Sequence, residues 1–296
     1  MRILNFGSCN IDYVYTLDHI VRPGETERTS RMEIFPGGKG LNQSVAAARA
    51  GADVYHAGLI GCDGAFLRTL LADSGVDVSL MQTTDEKNGH AVIQVSAIGE
   101  NAIFLYPGSN EMLTENYIDS VLAAFSPGDM VLLQNEVNAV DYIVDRAYEK
   151  GLMVVLNPSP CNERIKEIDL SKVAFLVLNE VEAADISGCK APDDCLTWLA
   201  SRYPEMTVVL TMGKRGSILT DRAGKCYQQA YPVKAVDTTA AGDTFMGYFV
   251  SAVSKGEDYT YALKLAAAAA AIAVTEKGAA PSIPAIDRVY DFLREV

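Results

Sequence analysis

The sequence predicts an α/β fold with a mostly parallel central sheet and a small antiparallel β lid, on three observations. Short apolar, β-branched runs alternate with helical patterns along most of the 296 residues. Two stretches break this order and alternate apolar with polar residues instead. Two glycine-rich segments, one near residue 38 and one near residue 240, each lead into a helical pattern.

The expected strands are residues 3–6, 54–60, 130–133, 153–156, 175–178 and 207–211, with helical stretches at 42–50, 66–72, 140–149 and 183–187 between them. Strands that alternate with helices pair in parallel through crossovers, so helices cover both faces of the sheet. Ligands of such sheets bind beyond the carboxyl ends of the strands. The exceptions are residues 12–35 and 88–106. In the second, HAVIQVSAIGENAIFLY turns at Gly-Glu-Asn with no helix between its arms, which is a two-residue period typical of a half-buried flap. No repeat, low-complexity tract or long linker interrupts the chain. The expectation is therefore a single domain over 1–296 that carries a lid built from about 12–35 and 88–106.

Composition narrows the function classes. A net charge of -13 and a pI near 4.7 leave no general basic field for nucleic acid or an anionic membrane surface. Asn5, Gly7 and Asp12 interrupt the apolar stretch that a signal peptide needs, and a cytoplasmic location is expected. The longest apolar run, residues 265–274, is about half of a membrane span and mostly alanine. It reads as a tightly packed internal helix. The six cysteines form no CxxC pair and read as reduced thiols. With three histidines and no HExxH, carboxylates and backbone amides must carry the chemistry.

The strongest chemical signal is DTTAAGDTFMG, from Asp237 to Gly247. Ala240, Ala241 and Gly242 let a ligand approach the backbone, and a helix starting there directs unpaired amides outward. Such a cradle suits phosphate, with Asp243 placed where an acceptor hydroxyl would meet a terminal phosphate. The other reading of Asp243 is a helix cap. The second signal is PGGKGLNQSVAAARAG, Pro36 to Gly51, a glycine-rich turn entering a helix that carries Lys39 and Asn42. It is neither a Walker A loop nor GxGxxG. Gly58 to Gly64 has a different glycine spacing and reads as a turn. Asn179 and Glu182 form an NxxE after a strand, which fits a phosphate or magnesium-water contact or a helix start. Thr211 to Ser217, with Gly213 and Gly216, reads as a turn between two strands, and Glu136 ends the strand MVLLQNE.

Taken together, GSCNID, PGGKGLNQ, LNEVE, TMGKRG, DTTAAGDTF and the tail AAAIAVTEKGAAPSIP resemble the ribokinase-like (PfkB-type) family of carbohydrate kinases, over nearly the whole chain. The resemblance implies that family's three-layer fold and transfer of the ATP γ-phosphoryl group to a primary hydroxyl of a small sugar, D-ribose first. Another sugar, fructose-like, or a nucleoside is the close alternative. A sugar sensor without catalysis is the alternative from another class. By resemblance Asp243 is the base, with the amides around Ala241 and Gly242 as the anion hole. Asn10, Asp12, Gly38, Lys39, Asn42 and Glu136 would hold the sugar. Asn179 and the Thr211 to Gly216 turn would hold ATP, and Glu182 would organise Mg2+. Asp237, Thr239, Ala273, Glu276, Gly278 and Ser282 would frame a K+ site, several through backbone carbonyls. A homodimer through the lid is also implied.

The chain departs from the family pattern at Leu41, Met246, Phe104 and Tyr106, and Ala266 to Ala271 offers adenine no polar side chain. Phe104, Tyr106 or Tyr13 would be the residues to stack on a base in a nucleoside kinase.

Overall fold

The computed structural model describes residues Met1–Val296. The chain lays β1 (Ile3–Phe6), passes into the lid as β2 (Asn10–Leu17) and β3 (Arg31–Gly37), and returns through α1 (Lys39–Arg49) to β4 (Val54–Ala57). Next come β5 (Leu59–Gly61), α2 (Ala65–Asp73), β6 (Gln82–Thr84) and the second lid arm, β7 (His90–Ser96) and β8 (Asn101–Tyr106). α3 (Glu115–Leu122), β9 (Met130–Gln134), α4 (Val140–Glu149), β10 (Met153–Asn157), β11 (Phe175–Asn179), α5 (Glu180–Ser187) and α6 (Pro192–Arg202) follow. The chain finishes with β12 (Thr207–Thr211), β13 (Ser217–Asp221), β14 (Gly224–Gln228), α7 (Ala241–Ser254), α8 (Tyr259–Ala273) and α9 (Ile286–Glu295).

The central sheet runs β14-β13-β12-β11-β10-β9-β1-β4, and it is parallel from β12 to β4. The hairpin strands β13 and β14 add an antiparallel edge. Both faces of the parallel strands are covered, which is why they read as continuous apolar runs. Ile3, Met130 and Leu132 pack with α1, α2, α7, α8 and α9. Leu4, Val131 and Leu133 point the other way, to α3, α4, α5 and α6. The alanine run forms most of α8, and its side chains are largely buried, as expected of an internal helix. No helix is long and apolar enough to cross a membrane. All six cysteines are free.

The expected strand over 54–60 is divided in two. β4 stays in the main sheet, while β5 leaves it to pair with β6. Gly58 lies at the break, where a Cβ would come within 2.7 Å of the Gly7 carbonyl oxygen, and no side-chain pattern signals that close approach. Helix α1 begins at Lys39 and α5 at Glu180, three residues before the expected helical stretches in each case. β14 had no expected counterpart in the sequence, since its residues are polar and mostly exposed.

The lid is a four-stranded sheet ordered β3-β2-β7-β8. Each arm is an antiparallel pair, and the arms join through a parallel β2–β7 pair. Register decides which side chains share a face. Asp12 lies opposite Ala91 and Ala91 opposite Leu105, whereas Tyr13, Val92 and Phe104 form the neighbouring row. Tyr13, Phe104 and Tyr106 therefore lie on the face opposite Asp12. They do not form a stacking platform beside it; Tyr13 and Tyr106 instead pack against the His90 ring, with centroids 5.6 and 5.0 Å away. Leu41 and Met246 are both fully buried in the core.

Candidate active site

The site is built where the carboxyl ends of β1, β9, β10 and β11 meet the N-termini of α1 and α7. β1 is flanked by β4 on one side and β9 on the other, so the connections diverge there and leave a crevice. Gly38 turns the chain from the lid into α1 with φ +93, a conformation that side chains disfavour. A Cβ at Gly37 would overlap the Asp12 carboxylate, 2.2 Å from Oδ2.

α7 starts behind Ala240, which sits in the left-handed region at φ 57, a strain of roughly 1 kcal/mol that the surrounding fold must impose. The Ala241 N–H reaches the Thr238 carbonyl at 3.3 Å, while the Gly242 and Asp243 amides have no acceptor within the protein. These two free amides, at the positive end of a 14-residue helix, form the anion-binding surface. Asp243 makes no side-chain cap. Its carboxylate crosses to α1, with Oδ2 accepting from Asn42 Nδ2 at 3.0 Å and Oδ1 from Gln43 Nε2 at 2.9 Å. The two glycine-rich signatures thus converge on one carboxylate.

Around Asp243 lies a polar cluster. Asn42 is buried, and its Oδ1 has no partner, leaving an acceptor for a ligand hydroxyl. Asn10 Oδ1 accepts from Asn110 Nδ2 at 2.7 Å, which frees the Asn10 amide N–H groups. Glu136 lies two residues beyond β9 and accepts from the Ser8 hydroxyl and from the Lys39 N–H at 2.9 Å. Burial pushes the Glu136 carboxyl up, against the pull of Lys39. Lys39 is held above the usual lysine range, chiefly by the charge of Asp243. The Asp12 carboxyl is pushed up to about 7 by burial and by Glu136, so near neutral pH it can donate as well as accept a hydrogen bond.

On the other side of the α7 amides is a cavity of about 810 Å3. Thr211, Gly213 and Gly216 from the β12–β13 turn form one wall, and Ala267, Ala270 and Ala271 of α8 form another. The small side chains leave a flat apolar slot, and Gly242 connects it to the anion-binding surface. Asn179 and Glu182 stand at the end of the adjacent strand, outside the cavity lining. They form a complete capping box: Asn179 Oδ1 accepts from the Val181 and Glu182 amides, and Glu182 Oε2 accepts from the Asn179 N–H. The helix-start reading of NxxE is realised, and the Asn179 amide N–H groups remain for a ligand.

Asp237, Thr239 and Gly278 come together beside the start of α7. Asp237 accepts from the Thr239 N–H and hydroxyl and from the Gly278 N–H, at 2.9, 2.6 and 2.9 Å. Burial works against its ionisation, but these bonds and Lys277 hold the carboxyl below the usual range. The Glu276 side chain turns to Arg288 at 2.5 Å, and the Ser282 hydroxyl donates to Ala279 at 2.8 Å. These contacts engage the Glu276 and Ser282 side chains within the protein, and Ala273, buried at the end of α8, has only its backbone carbonyl to offer an ion.

Sequence reasoning did not single out Gln43, Ser8, Gln134 or Asn110. Gln43 had a usable signal, since it follows Asn42 in the same first turn. Ser8, Gln134 and Asn110 act through contacts about a hundred residues away in sequence, which no local pattern carries.

The pfkB family carbohydrate kinase description matches residues 2–286. The ribokinase of Haemophilus influenzae is 36% identical, over 97% of this chain and 96% of its own. The crystal structure of the Thermotoga maritima ribokinase superposes with a TM-score of 0.87 at 33% identity, covering 99% of both chains. The Arabidopsis thaliana ribokinase, described as complexed with ribose and ATP, gives 0.86 at 27% identity over 99% and 98%. With a family match across nearly its whole length and this identity to full-length relatives, the chain belongs to the pfkB family of carbohydrate kinases.

Proposed function

We propose that the protein transfers the γ-phosphoryl group of ATP to the primary hydroxyl of D-ribose, giving ribose 5-phosphate. One observation carries the reading: the Asp243 carboxylate stands between two unpartnered helix amides and a cluster of hydroxyl-binding side chains. Asp243 accepts the hydroxyl proton as the new O–P bond forms and the bond to the leaving phosphate breaks. The amides of Gly242 and Asp243 stabilise charge on the phosphoryl oxygens, where positioning and electrostatics contribute most. Asn10, Asp12, Asn42 and Glu136, with the Gly38–Lys39 backbone, hold the sugar hydroxyls. The alanine-walled cavity takes the adenosine portion. Relatives named ribokinase, and the plant structure described with ribose and ATP, support this choice of substrates.

Glu182, with one oxygen left outside its capping bond, fits a role in organising magnesium-bound water. Magnesium would offset phosphate charge. The ionised Asp237 and neighbouring carbonyls are an all-oxygen donor set that fits K+, which would order the loop before α7. The whole chain acts as one domain with a lid. Ile103 and Leu105, each more than half exposed on the Asp12 face of the lid, support a homodimer through that sheet. Use of ATP and six free thiols suit a cytoplasmic enzyme.

The test is an ADP-release screen over pentoses, hexoses and nucleosides, with the Asp243→Asn variant as control. Ribose should give the highest kcat/KM, and the variant should lose roughly two to four orders of magnitude in kcat while remaining folded. Near wild-type turnover in Asp243→Asn overturns the base assignment, and preference for a nucleoside overturns the substrate. A strictly monomeric species in light scattering at high concentration refutes the lid dimer.

A further inference from the structure

Beneath Asp243 a chain of buried polar side chains runs through the core, where apolar residues would ordinarily pack. Gln43 is fully buried, and its Nε2 donates both to Asp243 Oδ1 at 2.9 Å and to Asn157 Oδ1 at 3.1 Å. Gln43 Oε1 accepts from Gln134 Nε2 at 2.8 Å, and the second Gln134 N–H goes to Asn5 Oδ1 at 3.1 Å. Asn5 Nδ2 donates to the Gly40 carbonyl and to Ser44 Oγ, at 2.9 and 2.8 Å. The Ser44 hydroxyl proton is then left for His56 Nδ1 at 2.8 Å, and His56 Nε2–H faces the Gly7 carbonyl at 3.2 Å.

Every member of this chain has one consistent direction of donation. Flipping the Gln43 amide would set its oxygen against two acceptors, the Asp243 carboxylate and Asn157 Oδ1. Burial pulls His56 down to about 4, so its ring is neutral near pH 7 and can accept at Nδ1. The network is satisfied except at Gln134 Oε1, which has no partner; the bonds it does make rigidify its members, and breaking them leaves costly unpaired groups. Asn42 already occupies Oδ2. With Gln43 on Oδ1, rotation of the carboxylate about Cβ–Cγ is blocked from both sides.

We infer that Gln43 is the positioning residue of the Asp243 carboxylate, and that the Gln134–Asn5–Ser44–His56 chain sets the orientation of the Gln43 amide. This rests on the reading of Asp243 as the base. Gln43 touches neither the cavity nor the sugar cluster, so its effect falls on the chemical step rather than on substrate binding. Lys39 and Glu136 are the other charged groups that bear on Asp243.

Two substitutions test the inference by steady-state kinetics. Gln43→Met keeps length and volume but removes the donor; kcat should fall about 10- to 100-fold, with KM for ribose and ATP within about threefold of wild type. Gln43→Glu sets a second carboxylate against Asp243, and the acid limb of the kcat–pH profile should move to higher pH by about one unit or more. A purely structural role would lower the melting temperature without moving that limb. If Gln43→Met does not fold, Gln134→Met gives the same readout at one remove, a kcat lowered about 3- to 10-fold at unchanged KM. Asp243→Asn, assayed alongside, separates the two ideas. An inactive Asp243→Asn beside a Gln43→Met of unaltered kcat overturns the positioning role alone, as does an unmoved acid limb in Gln43→Glu. Turnover retained in Asp243→Asn overturns the base and, with it, this inference.

Discussion

Gly247→Ala, a single methyl far from any ligand, should slow the enzyme. Gly247 lies one turn after Asp243 on α7, and Ala46 and Ala47 lie one turn after Asn42 and Gln43 on α1. A Cβ on Gly247 would sit 2.3 Å from Ala46 Cβ and 2.6 Å from the Ala47 nitrogen. Ordinary contact begins at 3.4 Å, so the two helices must part locally by about 1 Å. Backbone atoms form part of that contact, and no side-chain rotation relieves it. Transmitted one turn along, the same displacement stretches the 3.0 and 2.9 Å bonds to Asp243 to about 4 Å, beyond hydrogen-bonding range. Overpacking of this kind costs roughly 1–3 kcal/mol. Misplacing a reacting group by about an ångström costs on the order of a hundredfold in rate. The assay is coupled ADP release for kcat and KM, beside thermal unfolding followed by circular dichroism. The expected result is a lower melting temperature and a kcat reduced on the order of a hundredfold, with KM for ribose little changed. A variant whose kcat stays within about threefold of wild type while the melting temperature drops would refute the idea that α1–α7 spacing positions the base.

Three further predictions concern other parts of the site. The Asp12 carboxyl is raised to about 7 in the fold, so its favourable contribution is complete below about 4, its unfolded value, and is lost as pH rises through about 7. Asp12→Asn lacks that dependence, and its melting temperature relative to wild type should rise between pH 5 and 8; a constant difference would contradict the burial argument. Asn179→Asp keeps the α5 cap but replaces the free amide by a carboxylate, so stability should hold while KM for ATP rises about tenfold; Asn179→Ala should instead lose about 1 kcal/mol. Turnover should be higher in potassium than in sodium at constant ionic strength, with most of the difference gone in Asp237→Ala. Equal rates in both salts for the wild type rule the cation role out.

Sequence alone determined the layered α/β architecture, because a strand buried on both faces must be apolar throughout and a crossover helix must show one apolar stripe. It determined the lid in the same way, from the two-residue period of residues 90–106. It also marked Asp243 and Asn42, since glycine-rich turns into helices leave amides and first-turn side chains free for ligands. Tertiary structure decided what those residues do to each other. Asn42 and Gln43 meet Asp243 across about two hundred residues of chain, and the close approach that permits it depends on the missing side chain of Gly247. Asn179 and Glu182 were legible as a ligand contact or a helix start, and the tertiary structure realises the helix start as a capping box on α5. Which lid face looks toward Asp12 was likewise set by strand register, which placed Phe104 and Tyr106 on the far side. Local sequence carries periodicity and turn chemistry; the distances between segments arise only when helices and strands pack.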